Sequence, residues 1–408
     1  MQGNTPHGRA KGADLALAER ILAGMGNPAL AVILWDGSRV GPSDTVADVA
    51  VADRRALWAI ALNADLHFGD LYAAGRVRID GDLQTFLETG YRAMDGQPTP
   101  WPLRFLHRWQ NRPRRNSLNG SRENIHHHYD LGNDFYRLWL DQEVMQYTCA
   151  YYPSESASLE EAQIAKLHHV CRKLRLKPGD TVVEAGCGWG GLARFMAKHY
   201  GVKVRAFNVS QEQLRFAREE AERQGLSDRV EYVEDDYRNI EGTYDVFVSV
   251  GMLEHVGTEQ YPELGAVIDR VLAPHGRGLI HTIGRNRPQL MNPWIEKRIF
   301  PGAYPPTLRE MAAIFEPYAF SIQDVENIRL HYARTLQHWL ERFEANVETV
   351  RQMFDEHFVR TWRLYLAGSI ASFTTGELQL FQTVFTRPDY NELPWSRAYL
   401  YTAGEEGA

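Results

Sequence analysis

Val182-Val183-Glu184-Ala185-Gly186-Cys187-Gly188-Trp189-Gly190-Gly191 carries a β-branched pair through an acidic residue into a glycine-rich turn, and the amphipathic segment Leu192 to Tyr200 follows. Residues of these types in this order predict a strand, a tight loop and a helix. Glycine lets the backbone take positive φ and pass close to a ligand, while the first turn of the helix offers unpaired N–H groups, so a nucleotide-like cofactor is the first expectation. The spacing Gly186-x-Gly188-x-Gly190 differs from the dinucleotide pattern G-x-G-x-x-G, and no Lys-Ser or Lys-Thr pair follows, as a phosphate-cradling loop requires. Alone, the loop admits three readings: an S-adenosylmethionine site, an NAD site or a structural turn.

Beyond this loop, strand and helix mostly alternate. Strands are expected at Lys203 to Phe207, Val230 to Val233, Tyr244 to Val250 and Gly278 to Thr282, with helices after Ser210 and from Tyr261 to Leu272. Such alternation builds right-handed βαβ units and a parallel sheet. Before the loop, Leu159 to Leu174 reads as a long helix and Phe135 to Leu140 as a shorter amphipathic one, with Tyr147 to Pro153 an irregular aromatic loop between them. After the sheet, Thr307 and Glu310 form a capping-box pattern for a helix over Leu308 to Phe315. Thr335 to Phe373 is mainly helical, and Leu378 to Thr386 is a closing strand.

The N-terminal stretch is a smaller α/β or α+β domain, with helices at Leu15 to Met25, Val51 to Ala64 and Leu83 to Met94, a strand at Ala29 to Trp35 and a hairpin turn at Asp36-Gly37. Gln97 to Pro102 breaks regular structure, and Arg104 to Arg122 holds six arginines and no carboxylate, interleaved with Phe105, Leu106 and Trp109. This is a linker, and its arginine and tryptophan content also suits a peripheral membrane contact. Residues 1–115 therefore form one expected domain and 120–408 a second.

A chain of 408 residues with 44% hydrophobic content is a globular protein of two or three domains. Its net charge of -7 argues against general nucleic-acid binding. The three cysteines, Cys149, Cys171 and Cys187, have neither C-x-x-C spacing nor an even count, which fits a reducing cytoplasm and no disulfide framework. No apolar leader or membrane-length run is present, so membrane contact is expected to be peripheral. His126-His127-His128 invites a metal, but adjacent helix positions point about 100° apart and converge poorly on one ion, so no metal site is expected.

In open α/β sheets ligands bind beyond the carboxyl ends of the strands. Those positions hold Gly186 and Gly188, then Asn208 and Ser210, then Asp235, Asp236 and Tyr237, then Glu254 and His255, and last His281 and Ile283. Glu184 to Gly191, Phe207 to Gln213, Asp236-Tyr237-Arg238, Val250 to Gly257 and His281-Thr282-Ile283-Gly284 together resemble the cyclopropane-fatty-acyl-phospholipid synthase family. Tyr129 to Tyr136 and Tyr147-Thr148-Cys149-Ala150-Tyr151 are similar to the segments that precede its glycine loop.

The resemblance implies a Rossmann-like class I methyltransferase sheet with helical insertions, S-adenosylmethionine as cofactor and cis-unsaturated acyl chains of membrane phospholipids as substrate. It implies cofactor contacts from Tyr147, Thr148, Gly186, Gly188, Val209, Gln213, Asp236 and Tyr237. A bound bicarbonate would be held by Glu254, His281 and Tyr332, with Cys149 and Ile283 contributing through their backbones. A homodimer at the inner face of the membrane is implied as well. An alkene is a weak nucleophile, so methyl transfer places positive charge on the acyl chain, which the faces of Tyr151, Tyr152 and Tyr332 are expected to stabilise. Asn208 stands where the family commonly has threonine, which shifts ribose recognition toward Gln213, and Thr148 replaces the more usual serine. Methylene or methyl branching of the acyl chain, methylation of a small soluble acceptor, and a non-catalytic lipid-binding or scaffolding role are the alternatives.

Overall fold

The computed structural model describes residues 9–94 and 131–401. The basic segment Arg104 to Arg122 and the histidine run lie outside them. Two units are distinguished by their internal contacts: one groups the N-terminal residues with Leu290–Pro301 and Leu336–Glu377, and the other comprises the rest.

In the second unit, seven strands form one sheet: β5 (Thr181–Ala185), β6 (Lys203–Asn208), β7 (Val230–Glu234), β8 (Tyr244–Val250), β9 (Leu272–Gly284), β10 (Ser321–Asn327) and β11 (Gln379–Thr386), in the order β10-β11-β9-β8-β5-β6-β7. β5 to β9 pair in parallel, and β11 is antiparallel to both β9 and β10. This is the expected Rossmann-like sheet, with the order reversing at β5, between β6 and β8. Its two faces carry separate cores, one with Val182, Val204, Val246 and Leu279, the other with Val183, Phe207, Phe247 and Ile280. Alternate residues of the same strands serve opposite cores, which is why neighbouring positions such as Val182 and Val183, or Val246 and Phe247, are both apolar.

The helix Leu159–Lys173 starts at a capping box in which Ser158 and Glu161 satisfy each other's backbone N–H groups. The expected Thr307–Glu310 box begins the helix Leu308–Phe315 in the same way. The helix expected over Phe135 to Leu140 covers Asn133–Arg137 instead. β9 begins at Leu272 rather than Gly278, with a register irregularity against β8 between Tyr244 and Val246.

In the first unit, β1 (Leu30–Ile33), β2 (Arg39–Val40), β3 (Ala47–Val51) and β4 (Val77–Gly81) form a sheet in the order β2-β1-β3-β4. Asp36-Gly37 turns the β1-β2 pair, with Gly37 at φ 86. The helix expected from Val51 to Ala64 is shorter: Val51 ends β3, Asp53 caps the helix Arg54–Leu62, and Asn63 caps a second helix, Ala64–Ala73. β3 alternates buried and half-buried residues, a two-residue period that competes with the helical reading. Trp294 lies against Gly69 and donates from Nε1 to Asp70 at 3.1 Å, joining the Leu290–Pro301 segment to this unit.

Candidate active site

The glycine loop leaves β5 at the point where the strand order reverses. Gly186 and Cys187 donate their N–H groups to the Phe207 carbonyl at 3.0 Å, which folds the loop against the end of β6. Gly186, Gly188 and Gly190 all have positive φ. A Cβ on Gly190 would sit 2.4 Å from the Tyr232 hydroxyl, whereas one on Gly188 would meet no heavy atom within 4 Å. The backbone at Gly188 thus faces open space, the cradle an adenosine-type cofactor requires.

Around that cradle, Asn208 Nδ2 donates to the Gly188 carbonyl at 3.2 Å and to Gln213 Oε1 at 2.8 Å, while its Oδ1 accepts from Val209 N–H at 2.8 Å. Asn208, Val209 and Gln213 therefore form one brace between β6 and the glycine loop. Asp236 is buried, with Oδ1 held by Arg238 N–H at 3.0 Å and Oδ2 3.5 Å from the Arg238 guanidinium. Next to it, the Arg238 guanidinium lies 5.0 Å from the ring of the buried Tyr237, and burial pushes the Tyr237 hydroxyl up to about 12 against the pull of that cation. Tyr147 packs edge-on against Trp139 and tilted against Tyr136, and Thr148 touches Gly251 just beyond β8.

Glu254 and His281 form the polar centre of the neighbouring region. Glu254, 6% exposed, accepts the Ile283 N–H at 2.6 Å through Oε1, and its Oε2 has no partner among the described residues. The Ile283 N–H, expected to reach a bound ion, is engaged by Glu254 and fixes that carboxylate. Burial raises Glu254 to about 7 against the pull of the Ile283 N–H. His281, on β9 and 1% exposed, lies with Nδ1 3.1 Å from Gln382 Nε2 of β11, and its Nε2 has no partner among the described residues. Burial, with Lys166 adding to it, holds His281 well below the usual histidine range, so the ring is neutral.

Cys149 is fully buried, with Sγ 3.1 Å from the Ala150 carbonyl, and burial drives its thiol far above the usual range. No reactive thiolate exists there, and all three cysteines are unbridged. The Cys149 sulfur also approaches the Ile328 carbonyl at 3.9 Å, and Ile328 N–H bonds to Leu380, the register partner of Ile283. Ala150 N–H donates to Thr335 Oγ1 at 3.0 Å and Tyr152 N–H to His331 Nδ1 at 2.9 Å. The buried Tyr332 is thereby brought to the same region as Cys149 and Ile283, on the first turns of the helix Arg329–Ala345.

Two expectations need correction. Tyr151 is stacked between His169 at 4.3 Å and His331 at 4.7 Å, so both its faces are covered and neither meets an acyl chain. The Tyr152 ring lies 5.2 Å from the Arg334 guanidinium, which occupies the position a substrate cation would need. Of the three tyrosines only Tyr332 remains a candidate for cation stabilisation. The sequence reading also misses a buried polar group beneath the Tyr147-Thr148 segment, made by Asp141, Gln146, Gln163 and Lys166. The available signal was a glutamine and a lysine at i and i+3 on the apolar face of the helix Leu159–Lys173. Among the described residues no cluster of metal-ligating side chains occurs, and no helix is long and apolar enough to cross a membrane.

Comparison with known proteins matches residues 116–383 to the family model described as mycolic acid cyclopropane synthetase. A probable fatty acid methyltransferase from Pseudomonas putida is 35% identical over 388 residues, covering 90% of this chain and 95% of that protein. The cyclopropane-fatty-acyl-phospholipid synthase of Escherichia coli K12 is 43% identical over 271 residues, covering 66% and 69%. Among solved structures, the cyclopropane synthase MmaA2 from Mycobacterium tuberculosis superposes with a TM-score of 0.62 at 29% identity, covering 65% of this chain and 98% of that one. The mycolic acid cyclopropane synthase CmaA1, complexed with SAH and CTAB, gives the same TM-score at 28% identity and the same coverage. The chain therefore belongs to the mycolic acid cyclopropane synthetase family and is an S-adenosylmethionine-dependent methyltransferase of the cyclopropane synthase type.

Proposed function

We propose that the protein transfers a methylene group from S-adenosylmethionine to the cis double bond of an unsaturated phospholipid acyl chain, forming a cyclopropane, with bicarbonate as base. The observation that carries this reading is that the buried atoms Glu254 Oε2 and His281 Nε2 have no hydrogen-bond partner among the described residues, while Glu254 Oε1 is tied to β9 at Ile283. Buried polar atoms are rarely left unsatisfied, and a small oxyanion with a hydroxyl offers a donor to the carboxylate oxygen and an acceptor to the imidazole N–H. The similarity to the Escherichia coli synthase supports the phospholipid substrate.

S-adenosylmethionine supplies an electrophilic methyl group, and bicarbonate accepts the proton released on ring closure. The cofactor would be held by Tyr147, Thr148, Gly186, Gly188, Val209, Gln213, Asp236 and Tyr237. Bicarbonate would be held by the side chains of Glu254, His281 and Tyr332 and by the backbone at Cys149, with Ile283 acting through Glu254. The Glu254 carboxylate would accept a hydrogen bond from the hydroxyl of the ion and so orient it. His281, being neutral, donates a hydrogen bond without adding repulsion toward the substrate cation.

This assignment predicts the pH dependence. Glu254 must be ionised to accept, and it is protonated below about 7. kcat/KM therefore rises as pH increases through about 7, measured from initial rates on vesicle substrate, and a flat profile across that region contradicts the role. Stability runs the other way: between its ordinary 4.5 and about 7 the folded state retains a proton the unfolded chain has lost, so this group's contribution declines as pH rises across that window.

A second reading, methylene or methyl branching of the acyl chain, is favoured by the similarity of nearly the whole chain to the probable fatty acid methyltransferase of Pseudomonas putida. Lipid extracts from expressing cells decide between them, since cyclopropane and methylene isomers share a mass but fragment differently. The cyclopropane is expected, and exclusively exocyclic methylene product defeats the main reading. Turnover should also require unsaturated phospholipid vesicles; methylation of a soluble acceptor without them would favour the small-molecule alternative. Peripheral membrane contact and homodimer formation complete the proposal, and monomeric sedimentation at micromolar concentration would remove the second.

A further inference from the structure

The helix Leu159–Lys173 buries Gln163 and Lys166 at 0% exposure beside Ala162, Leu167, Val170 and Cys171, and its buried His169 and Lys173 are paired with Glu326. The Lys166 ammonium donates to Gln146 Oε1 at 2.5 Å and to Thr148 Oγ1 at 3.0 Å. Gln163 Nε2 donates to the Thr148 carbonyl at 2.9 Å, and the buried Asp141 accepts the N–H groups of Val144, Met145 and Gln146 at 2.7 to 3.0 Å. Gln163 and Asp141 already hold the backbone of this segment, so its path does not need a cation. Burying an ammonium is unfavourable, and its position calls for a different account.

What a lysine adds is direction and charge. An ammonium only donates, so Thr148 Oγ1 must accept from Lys166 and its own proton turns away. That proton has no acceptor among the described residues. Thr148 is thus a fixed donor with a positive charge behind it. In an S-adenosylmethionine-type ligand the ribose hydroxyls both donate and accept, and the adenine amino group and the α-ammonium donate. The carboxylate alone is both a pure acceptor and an anion, and it suits this donor. Asp141, Cys149, Glu184 and Cys171 face the ammonium; burial lowers Lys166 to about 8 against the pull of Asp141, which leaves it mostly charged at neutral pH.

We propose that Lys166 is a positioning residue for the cofactor: by fixing the Thr148 hydroxyl as a donor backed by positive charge, it selects the carboxylate at the amino-acid end of the ligand. The proposal rests on the cofactor reading given above. Calorimetric titration of wild type and Lys166→Met with S-adenosylhomocysteine and with 5′-methylthioadenosine, which lacks the amino-acid end, tests it without recourse to turnover. Lys166→Met should weaken S-adenosylhomocysteine about tenfold to a hundredfold and 5′-methylthioadenosine by less than about twofold. Equal losses for both ligands, or none for either, overturn the proposal. Wild type that binds neither ligand removes the cofactor reading, and this proposal with it. If Lys166→Met does not fold, as judged by its melting curve, Lys166→Gln keeps a donor without the charge. It should show the same selective loss at a smaller size, about threefold to tenfold, and an unselective or absent loss is again decisive against the proposal.

Discussion

Glu254→Gln is expected to lower kcat by about a hundredfold to ten-thousandfold, the range typical of a group that organises proton transfer, while S-adenosylhomocysteine affinity changes by less than about twofold. Glutamine is nearly isosteric, so its amide oxygen can still accept the Ile283 N–H that Glu254 Oε1 accepts at 2.6 Å. The amide nitrogen then occupies the place of Oε2, putting a donor where the hydroxyl of the bound ion needs an acceptor. The ion loses its orientation and the base no longer faces the acyl chain. Folding should not suffer, because the change removes a carboxylate whose ionisation burial opposes. Rates come from mass-spectrometric quantification of lipid product, and binding from calorimetry. Wild-type turnover in the glutamine variant would remove Glu254 from the mechanism, whereas loss of cofactor binding would make its role structural.

Gly190→Ala and Gly188→Ala should fail in opposite ways although they stand two residues apart. At Gly190, φ is 74 and the new Cβ would lie 2.4 Å from the Tyr232 hydroxyl. That ring cannot yield easily: its hydroxyl donates to the Gly190 carbonyl at 3.0 Å and meets Arg194 Nη1 at 3.4 Å, while Arg194 also donates to the Trp189 carbonyl at 2.7 Å. The left-handed backbone costs about 1–2 kcal/mol and the overpacking about 1–3 kcal/mol, giving a loss of about 2–5 kcal/mol. Scaled to a unit of this size, the melting temperature falls by about 5–15 °C. At Gly188, φ is 52 and the Cβ meets nothing within 4 Å, so only the backbone penalty applies. The alanine methyl instead projects into the space proposed for the cofactor, and S-adenosylhomocysteine affinity should fall at least about tenfold while the melting temperature falls by only about 2–6 °C. Normal binding by Gly188→Ala would contradict the placement of the cofactor over this loop.

The main sheet is legible in the sequence where its strands are buried on both faces. β5, β6 and β8 carry enough valine, alanine and aromatic residues between turn residues to read as strands, although Glu184, Arg205 and Asp245 interrupt them, and the glycine loop marks the reversal of strand order. β10 is hidden for a physical reason: Gln323, Asp324 and Glu326 dilute its pattern, and the irregularity between Ile322 and Asp324 breaks the two-residue alternation. In the first unit, β3 and β4 are short and rich in alanine and charge, so Val51 looks like the start of a helix when it ends a strand. The grouping of Leu336–Glu377 with the N-terminal residues has no local signature, because it depends on contacts far apart in the chain.

The candidate site divides in the same manner. Gly188, Glu254 and His281 are recognisable because each lies in a short motif beyond a strand. The covering of Tyr151 and the engagement of Tyr152 are not, since His331 is held to Tyr152 across 179 residues. Lys166 looks like an ordinary charged helix residue until the Tyr147-Thr148 segment is folded over it.

The amide of Gln382 has a consequence for His281. As oriented here, Nε2 of Gln382 directs a hydrogen at Nδ1 of the imidazole, so Nδ1 carries a lone pair and the ring proton resides on Nε2. β11, the antiparallel strand added beside β9, therefore selects the tautomer of a residue on its neighbour. A glutamate at 382 would select the other tautomer and turn the inward nitrogen from donor to acceptor, reversing the polarity of the pocket without altering its shape.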